Sequence, residues 1–225
     1  GLIHQDILRQ SSIKDENQIM INLTTLAENE GKLISLGDSS KIYEDRKENQ
    51  QSDPGQNPAS SSEILLIGII DRYDIKKEQY LFGSKKYFFL DSGLKNAVLS
   101  FQKEKESYHP DSLIYHELIE YGYSILVGTT TINAKTEEGK KTAQKAGIDF
   151  LATKQDILLL LQVIDRNTSE ETRKQKEEAL KNTDDRLLKI LVENNLSHPY
   201  IGRNGILHIG ILNFLLKEEN DGIEC

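Results

Sequence analysis

From Glu63 onward, short apolar runs alternate with segments of helical periodicity, and this alternation restricts the fold more than any other feature. Helical patterns lie at 110–121, 170–180 and 214–216. Strands interleaved with helices are typical of an α/β domain, so we predict α/β with a mixed sheet. The apolar runs of strand length lie at 64–70, 87–90, 123–127, 148–153, 157–164, 187–192 and 206–211.

Residues 1 to about 47 have helical patterns only and predict a small helical bundle. A helix-stop signal, Asn29-Glu30-Gly31, ends its second apolar stripe. Residues 48–62 contain no aliphatic side chain larger than alanine, so burial cannot offset their ordering entropy. We therefore predict a helical segment over 1–62 that ends in a mobile linker (48–62), followed by an α/β domain over 63–225. The two stripes are Ile3, Ile7 and Leu8, and Ile19, Leu23, Leu26 and Ala27.

The composition excludes several classes of protein. The formal net charge of −8 argues against binding nucleic acid over the whole surface, although a local basic patch for DNA stays open. The single cysteine, Cys225, excludes a disulfide scaffold and a zinc site built on thiolates within this chain. No apolar run has the length of a membrane span and the N-terminus has no signal-peptide pattern, so we expect a cytoplasmic protein without a membrane partner.

No nucleotide site can be identified. Gly139-Lys140-Lys141-Thr142 has Ala134 where the phosphate-binding loop needs its first glycine, and Lys141 where it needs Ser or Thr. The five histidines show no metal-ligand spacing such as HExxH, which argues against zinc. We therefore predict no ATP site in this chain.

Asp149 and Gln162 are the most informative polar pair. If 148–153 and 157–164 form a hairpin that turns at Gln155-Asp156, these two side chains lie opposite each other with Cβ atoms about 5 Å apart. A carboxylate and an amide oxygen on one face could hold a divalent cation such as Mg²⁺. Alternatively, Asp149 closes a strand edge or binds a backbone amide, and the spacing does not decide between these interpretations.

Three further polar or charged segments predict local features of the fold. Asp111 follows Pro110 at a helix start, where the helix dipole alone favours a carboxylate. Residues 129–146 are rich in Thr and Lys, and we predict a polar insertion there. The helix at 170–180 is so highly charged that we expect it to be largely solvated.

An ordered set of segments over about 70–216, apart from the insertion, resembles the C-terminal domain of unknown function of predicted prokaryotic AAA-type ATP-binding proteins. The segment 26–31 with 33–35 is similar to the winged-helix-like segment that precedes that domain. The ordered set comprises 72–76, 86–94, 113–118, 122–123, 127–128, 148–150, 162–163, 170–172, 204–206 and 214–216.

This resemblance implies a PD-(D/E)XK nuclease-like domain, a mixed sheet flanked by helices. It implies that the acidic helix residue of that fold is Asp111, the motif aspartate is Asp149, the motif glutamate is replaced by Gln162 and the catalytic lysine by Ile164. It also implies an ATPase module that this chain lacks. The stretch 52–62 replaces what would be a helix of the winged-helix segment, which argues against DNA reading there.

The departures from the motif favour a non-catalytic function. Gln162 removes a negative charge from a site for a hard cation, and Ile164 cannot orient water or stabilise developing phosphorane charge. Our leading hypothesis is an accessory domain of an ATP-binding protein that acts in binding or regulation, with the ATPase module, another protein or DNA as partner. The alternative is a Mg²⁺-dependent nuclease using Asp111, Asp149 and Gln162 with a lysine such as Lys154. A third hypothesis is a homo-oligomerisation or docking module.

Overall fold

A computed structural model describes residues 16–35, 67–99, 109–135, 141–194, 196 and 198–216. The first apolar stripe and the linker at 48–62 lie outside these residues. The chain divides into two units, Gly1–Ile69 with Lys86–Tyr108 and Ile70–Lys85 with His109–Cys225. Of the helices in the described ranges, none is long and apolar enough to cross a membrane.

In the first unit, helix α1 (Glu16–Glu28) confirms the second predicted stripe. Leu26 and Ala27 are buried in an apolar cluster with side chains from β1 (Ile67–Asp74), β2 (Gln79–Phe89) and α2 (Ser92–Val98). The helix stops where predicted, because Gly31 takes a φ of 74°, a left-handed conformation that glycine adopts without strain. The cluster consists of Leu26, Ala27, Ile67, Tyr87 and Phe89, flanked by Leu23, Ile34, Ile69, Leu94, Val98 and Leu99.

A buried ion pair also lies in this unit. Glu30 follows α1 and Lys95 lies on α2, and their side chains are only 2% and 4% exposed. Lys95 Nζ donates to Glu30 Oε2 over 2.7 Å, and the main-chain N–H of Phe89 donates to Glu30 Oε1 over 2.8 Å. Both carboxylate oxygens are therefore hydrogen-bonded, which is the condition under which a buried charge is tolerated.

Among the described residues, eight strands form one mixed sheet in the order β2-β1-β3-β4-β5-β6-β8-β7. The β1–β3, β5–β6 and β6–β8 pairs are parallel, whereas β3–β4, β4–β5 and β7–β8 are antiparallel. The predicted α/β class with a mixed sheet is therefore confirmed. The remaining elements are α3 (Pro110–Glu120), β3 (Ser124–Lys135), β4 (Lys141–Lys154), β5 (Ile157–Ile164), α4 (Glu170–Lys181), β6 (Leu188–Glu193), β7 (Tyr200–Ile201), β8 (Leu207–Gly210) and α5 (Ile211–Leu216).

The expectation of a polar insertion over 129–146 was wrong for most of its length. β3 runs on to Lys135 and β4 begins at Lys141, and the two strands pair across this whole region. The ladder satisfies the backbone groups, so a strand here does not need an apolar face on both sides. Thr is moreover a good strand former because it is β-branched.

The β3–β4 ladder contains a β-bulge at Asp149. Val127 of β3 lies opposite two residues of β4, Asp149 and Phe150, because the pairing shifts by one residue between Leu126 and Gly128. A bulge bends the strand and redirects its side chains, and bulges are frequent beside functional sites. The bulge thus changes the direction of β4 at the residue that the sequence had indicated as a site residue.

Helix α4 spans Glu170–Lys181, one residue longer than the predicted 170–180, and it is not solvated on all sides. Ala179 and Leu180 are fully buried against the sheet, and Arg173 and Lys176 are half-buried on the side that faces β4, β5 and β6. The expectation of a largely solvated helix was therefore wrong for one face. The core that α4 covers contains Ile132, Ile148, Leu151, Leu160, Ile164, Ala179, Leu180, Leu191 and Ile206.

Gly210, the last residue of β8, lies in close contact with the backbone of Leu196. A Cβ at Gly210 would lie 2.1 Å from the carbonyl oxygen of Leu196, so the backbone would have to move. We expect Gly210→Ala to lower the free energy of unfolding by about 3 kcal/mol, measured by urea denaturation. Gly147→Ala is the control, because a Cβ there meets nothing within 4 Å. Equal effects of the two substitutions would contradict the close approach at Gly210.

Candidate functional site

β4 and β5 separate at one end of their hairpin, and we call this region the fork: Gly147 to Asp149 on β4 with Gln162 and Val163 on β5. The paired positions run from Lys154–Ile157 to Phe150–Leu161, and the turn lies at Gln155-Asp156 as predicted. Asp149 and Gln162 are the next two positions beyond the last pair. The structure therefore brings these two predicted site residues together.

Gln162 uses both ends of its amide to hold the fork. The side chain is fully buried. Its Nε2 donates to the carbonyl of Gly147 over 2.7 Å, and its Oε1 accepts the N–H of Asp149 over 3.3 Å. These bonds replace backbone ladder bonds at the point where the strands diverge. Buried backbone N–H and C=O groups need such partners, because leaving them unpaired costs free energy. A glutamate could not make the same pair of bonds when ionised, because it has no donor.

Asp149 binds the opposite strand and a helix. Its Oδ2 accepts the N–H of Val163 over 2.9 Å and the ammonium of Lys176 over 2.6 Å. Lys176 Nζ also donates to the carbonyl oxygen of Val163 over 2.7 Å. The binding of a backbone amide by Asp149, one of the roles that the sequence left open, is thus present in the structure.

The Lys176 ammonium therefore bridges a carboxylate oxygen and a carbonyl oxygen. The Asp149 and Lys176 side chains are 16% and 24% exposed, so water only partly screens their attraction. Helix α4 brings the lysine here. Ser169 caps its N-terminus by accepting the N–H of Thr172, and Glu170 and Glu171 in the first turn complement the helix dipole.

A second carboxylate lies opposite the same helix face. Arg173 precedes Lys176 by three residues, so both project from one side of α4. The Arg173 guanidinium is 2.5 Å from Glu193 Oε2 at the end of β6, and His208 Nδ1 of β8 is 2.8 Å from Glu193 Oε1. Tyr200 stacks on the His208 ring with centroids 4.4 Å apart. α4 thus neutralises two carboxylates of the sheet, those of Asp149 and Glu193.

The other predicted site residues have different surroundings. Asp111 is half-buried in the first turn of α3, a helix that packs against β3 and α5. Ile164 lies in the apolar core. Lys154 Nζ lies 5.7 Å from the centre of the Tyr123 ring, five positions along β4 from Asp149. The lysine at the Asp149 carboxylate is therefore Lys176 and not Lys154.

The fork does not fit Mg²⁺ in this arrangement. A hard cation needs several free oxygen ligands. Asp149 Oδ2, Gln162 Oε1 and the Val163 carbonyl oxygen are of the right type, but each accepts a hydrogen bond from a protein donor. Within the described parts of the chain, no group of three or more His, Cys, Asp or Glu side chains could hold a metal ion.

Sequence reasoning missed Arg173, Lys176, Glu193 and His208. A weak signal existed, because two cations three residues apart on a helix share a face and Glu193 ends an apolar strand. Nothing in the sequence, however, states which carboxylate each cation meets. That assignment depends on the order of β4, β5 and β6 in the sheet.

The chain is similar in sequence to a known protein over most of its length. An uncharacterized protein of Haemophilus influenzae (strain Rd) is 25% identical over 174 residues, which is 76% of this chain and 40% of that relative. The matched region thus spans less than half of that relative's length. No family model and no solved structure matches the chain.

Proposed function

We propose that this chain is an accessory domain of an ATP-binding protein, with a degenerate nuclease-like site that acts in binding or regulation and not in catalysis. The observation that carries the proposal is the position of Lys176. Its ammonium is bonded to both a carboxylate oxygen and a carbonyl oxygen of the fork, where a metal-dependent nuclease would need a divalent cation.

Electrostatics favour the lysine over an added cation. A divalent ion about 4 Å from the ammonium would be repelled by about 8 kcal/mol at an effective dielectric constant of 20. A metal would therefore have to displace Lys176, which is tethered and so already present at high effective concentration. Gln162 adds no negative charge that could compensate.

The fold and the relative give further support. The mixed sheet, with Asp149 and Gln162 on adjacent strands and helices packed on it, is compatible with the PD-(D/E)XK resemblance. The H. influenzae relative is longer than its matched region and has room for a further module. We propose that the protein acts in the cytoplasm and that its partner is an ATPase module or another protein. DNA or a second copy of the chain is the alternative partner.

Paramagnetic Mn²⁺ broadening of amide resonances tests the proposal at the fork itself. We expect no selective broadening at Gly147 and Val163 in the native chain, because Lys176 occupies the oxygens. Lys176→Met removes the ammonium from Asp149 Oδ2, which keeps its bond from the Val163 N–H, and from the Val163 carbonyl oxygen. Mn²⁺ binding should therefore tighten by about tenfold or more. Adding Asp149→Ala should abolish the gain.

Lys174→Met is the matched control, because Lys174 is exposed on the same helix and outside the fork. Selective broadening at Gly147 and Val163 in the native chain, lost in Asp149→Ala, would overturn the proposal.

A metal-dependent nuclease remains the second candidate because a lysine does contact Asp149. In that case Lys176 would supply the ammonium that Ile164 cannot. Cleavage of supercoiled plasmid in Mn²⁺ that disappears in both Asp149→Ala and Lys176→Met, but not in Lys174→Met, would establish this function. The accessory-domain proposal predicts no cleavage by any of the four proteins.

A further inference from the structure

A cleft of about 410 Å³ lies in the second unit, away from the fork. It is formed where α4 ends, where β6 begins and at the turn that precedes β8. β6 and β8 are parallel, so their starting residues lie at the same edge of the sheet. Lys189 of the cleft precedes Glu193 by four residues, a separation of about 13 Å along a strand.

The charge of the cleft has the opposite sign to the charge of the whole chain. Lys181, Lys189 and Arg203 contribute three positive charges to its lining, and Asp185 contributes one negative charge. Lys181 is also paired with Glu177 over 2.8 Å, which leaves a net charge of +1. The chain as a whole carries −8. A concave cationic surface on an acidic protein raises the local concentration of anions and not of cations.

Lys189 is held in a fixed position in the cleft. Its side chain is only 3% exposed, and such burial of a lysine needs compensating hydrogen bonds. Its Nζ donates to the carbonyl oxygen of Thr183 over 3.2 Å and to Asp185 Oδ1 over 3.1 Å. An ammonium has three N–H donors, so one is left after these two bonds.

Arg203 supplies unused donors at the rim. It lies in the exposed turn before β8, and no side chain or carbonyl of the described residues accepts a hydrogen bond from its guanidinium. Asn204 lines the cleft beside it. A guanidinium presents paired N–H groups whose geometry matches the oxygens of a phosphate.

We propose that this cleft binds a phosphate group, through Arg203 and Lys189 with Lys181 adding positive charge. The volume falls in the range of small-molecule sites. A phosphate group has enough oxygen atoms to accept hydrogen bonds from the paired N–H groups of Arg203 and from the Lys189 ammonium at the same time. The site uses none of the residues of the fork, so it stands whether or not the proposed function is right.

Two titrations at constant ionic strength test this site. Binding of pyrophosphate is measured by NMR, and binding of a twelve-base single-stranded DNA by fluorescence anisotropy. We expect Arg203→Gln to weaken binding by about tenfold, as the loss of charged hydrogen bonds implies. Asp185→Asn should tighten binding, because it removes the only negative charge of the lining and keeps an oxygen for Lys189. Arg166→Gln is the matched control, since it removes an exposed arginine elsewhere.

The two ligands distinguish the sources of the phosphate. Binding of pyrophosphate that depends on Arg203 indicates a small phosphorylated ligand, and binding of the oligonucleotide alone with the same dependence indicates a nucleic-acid backbone. Absence of binding by both ligands would overturn the proposal. Equal weakening by Arg203→Gln and Arg166→Gln would do so as well, because it would show attraction by general charge.

Discussion

Replacing Lys95 with methionine should lower the free energy of unfolding by about 3–5 kcal/mol, the usual cost of removing one partner of a buried ion pair. Methionine retains most of the volume of lysine, so packing changes little. The loss comes from Glu30, whose carboxylate is only 2% exposed and would keep a single donor, the Phe89 N–H. Chemical denaturation monitored by circular dichroism measures the effect.

Two further variants test whether burial of the Glu30–Lys95 ion pair causes the expected loss of stability. Lys85 and Asp71 lie at nearly the same distance, 2.6 Å, but their side chains are 36% and 48% exposed, so Lys85→Met should cost less than about 1 kcal/mol. The double substitution Glu30→Gln with Lys95→Met should recover part of the lost stability, because it removes the unpaired buried charge and its amide oxygen still accepts from Phe89. Similar losses for Lys95→Met and Lys85→Met would show that burial does not matter here.

The second large effect is expected at the fork. Gln162→Glu restores the residue that a nuclease motif would have, yet we expect it to lower the free energy of unfolding by about 3 kcal/mol at pH 8. The buried carboxylate would lie against the Gly147 carbonyl oxygen, to which Gln162 now donates over 2.7 Å. At pH 5 the loss should be smaller, since the introduced carboxyl can then take up a proton and donate to that oxygen.

Gln144→Glu is the control for the added charge, because Gln144 is exposed on the same strand. The measurement is thermal unfolding of both variants and the native chain at the two pH values, with and without Mn²⁺. Stability of Gln162→Glu equal to that of the native chain, or a selective gain on adding Mn²⁺, would show that position 162 faces a cation site. The role of Gln162 in holding the fork would then be wrong.

Local patterns predicted much of the fold correctly. β5 was predicted at its observed limits, 157–164, because an apolar run of eight residues is long enough for a buried strand and is bounded by polar turns. The start of α3 was predicted at Pro110, and the end of α1 was indicated by Asn29-Glu30-Gly31. These signals are local: each depends on residues within one or two turns of chain.

The errors have a common physical cause. The pairing of 129–135 with 141–147 is stabilised by backbone bonds, which the polarity of the side chains does not reveal. The polar face of α4 is partly buried because sheet carboxylates neutralise its cations, and no pattern within the helix shows that. Interactions between residues distant in sequence decided both features.

The sequence by itself indicated the α/β class and two strands whose hairpin, if it turned at Gln155-Asp156, would set Asp149 opposite Gln162, because hydrophobic period and turn position are local properties of the chain. The tertiary structure alone decided what that pair does. The bulge at Asp149 redirects β4, the strands diverge, and α4 brings Lys176 to two oxygens of the fork, Asp149 Oδ2 and the Val163 carbonyl oxygen. The Val163 N–H on the neighbouring strand and Lys176, 27 residues away on α4, become partners of Asp149 only when the sheet order places them together.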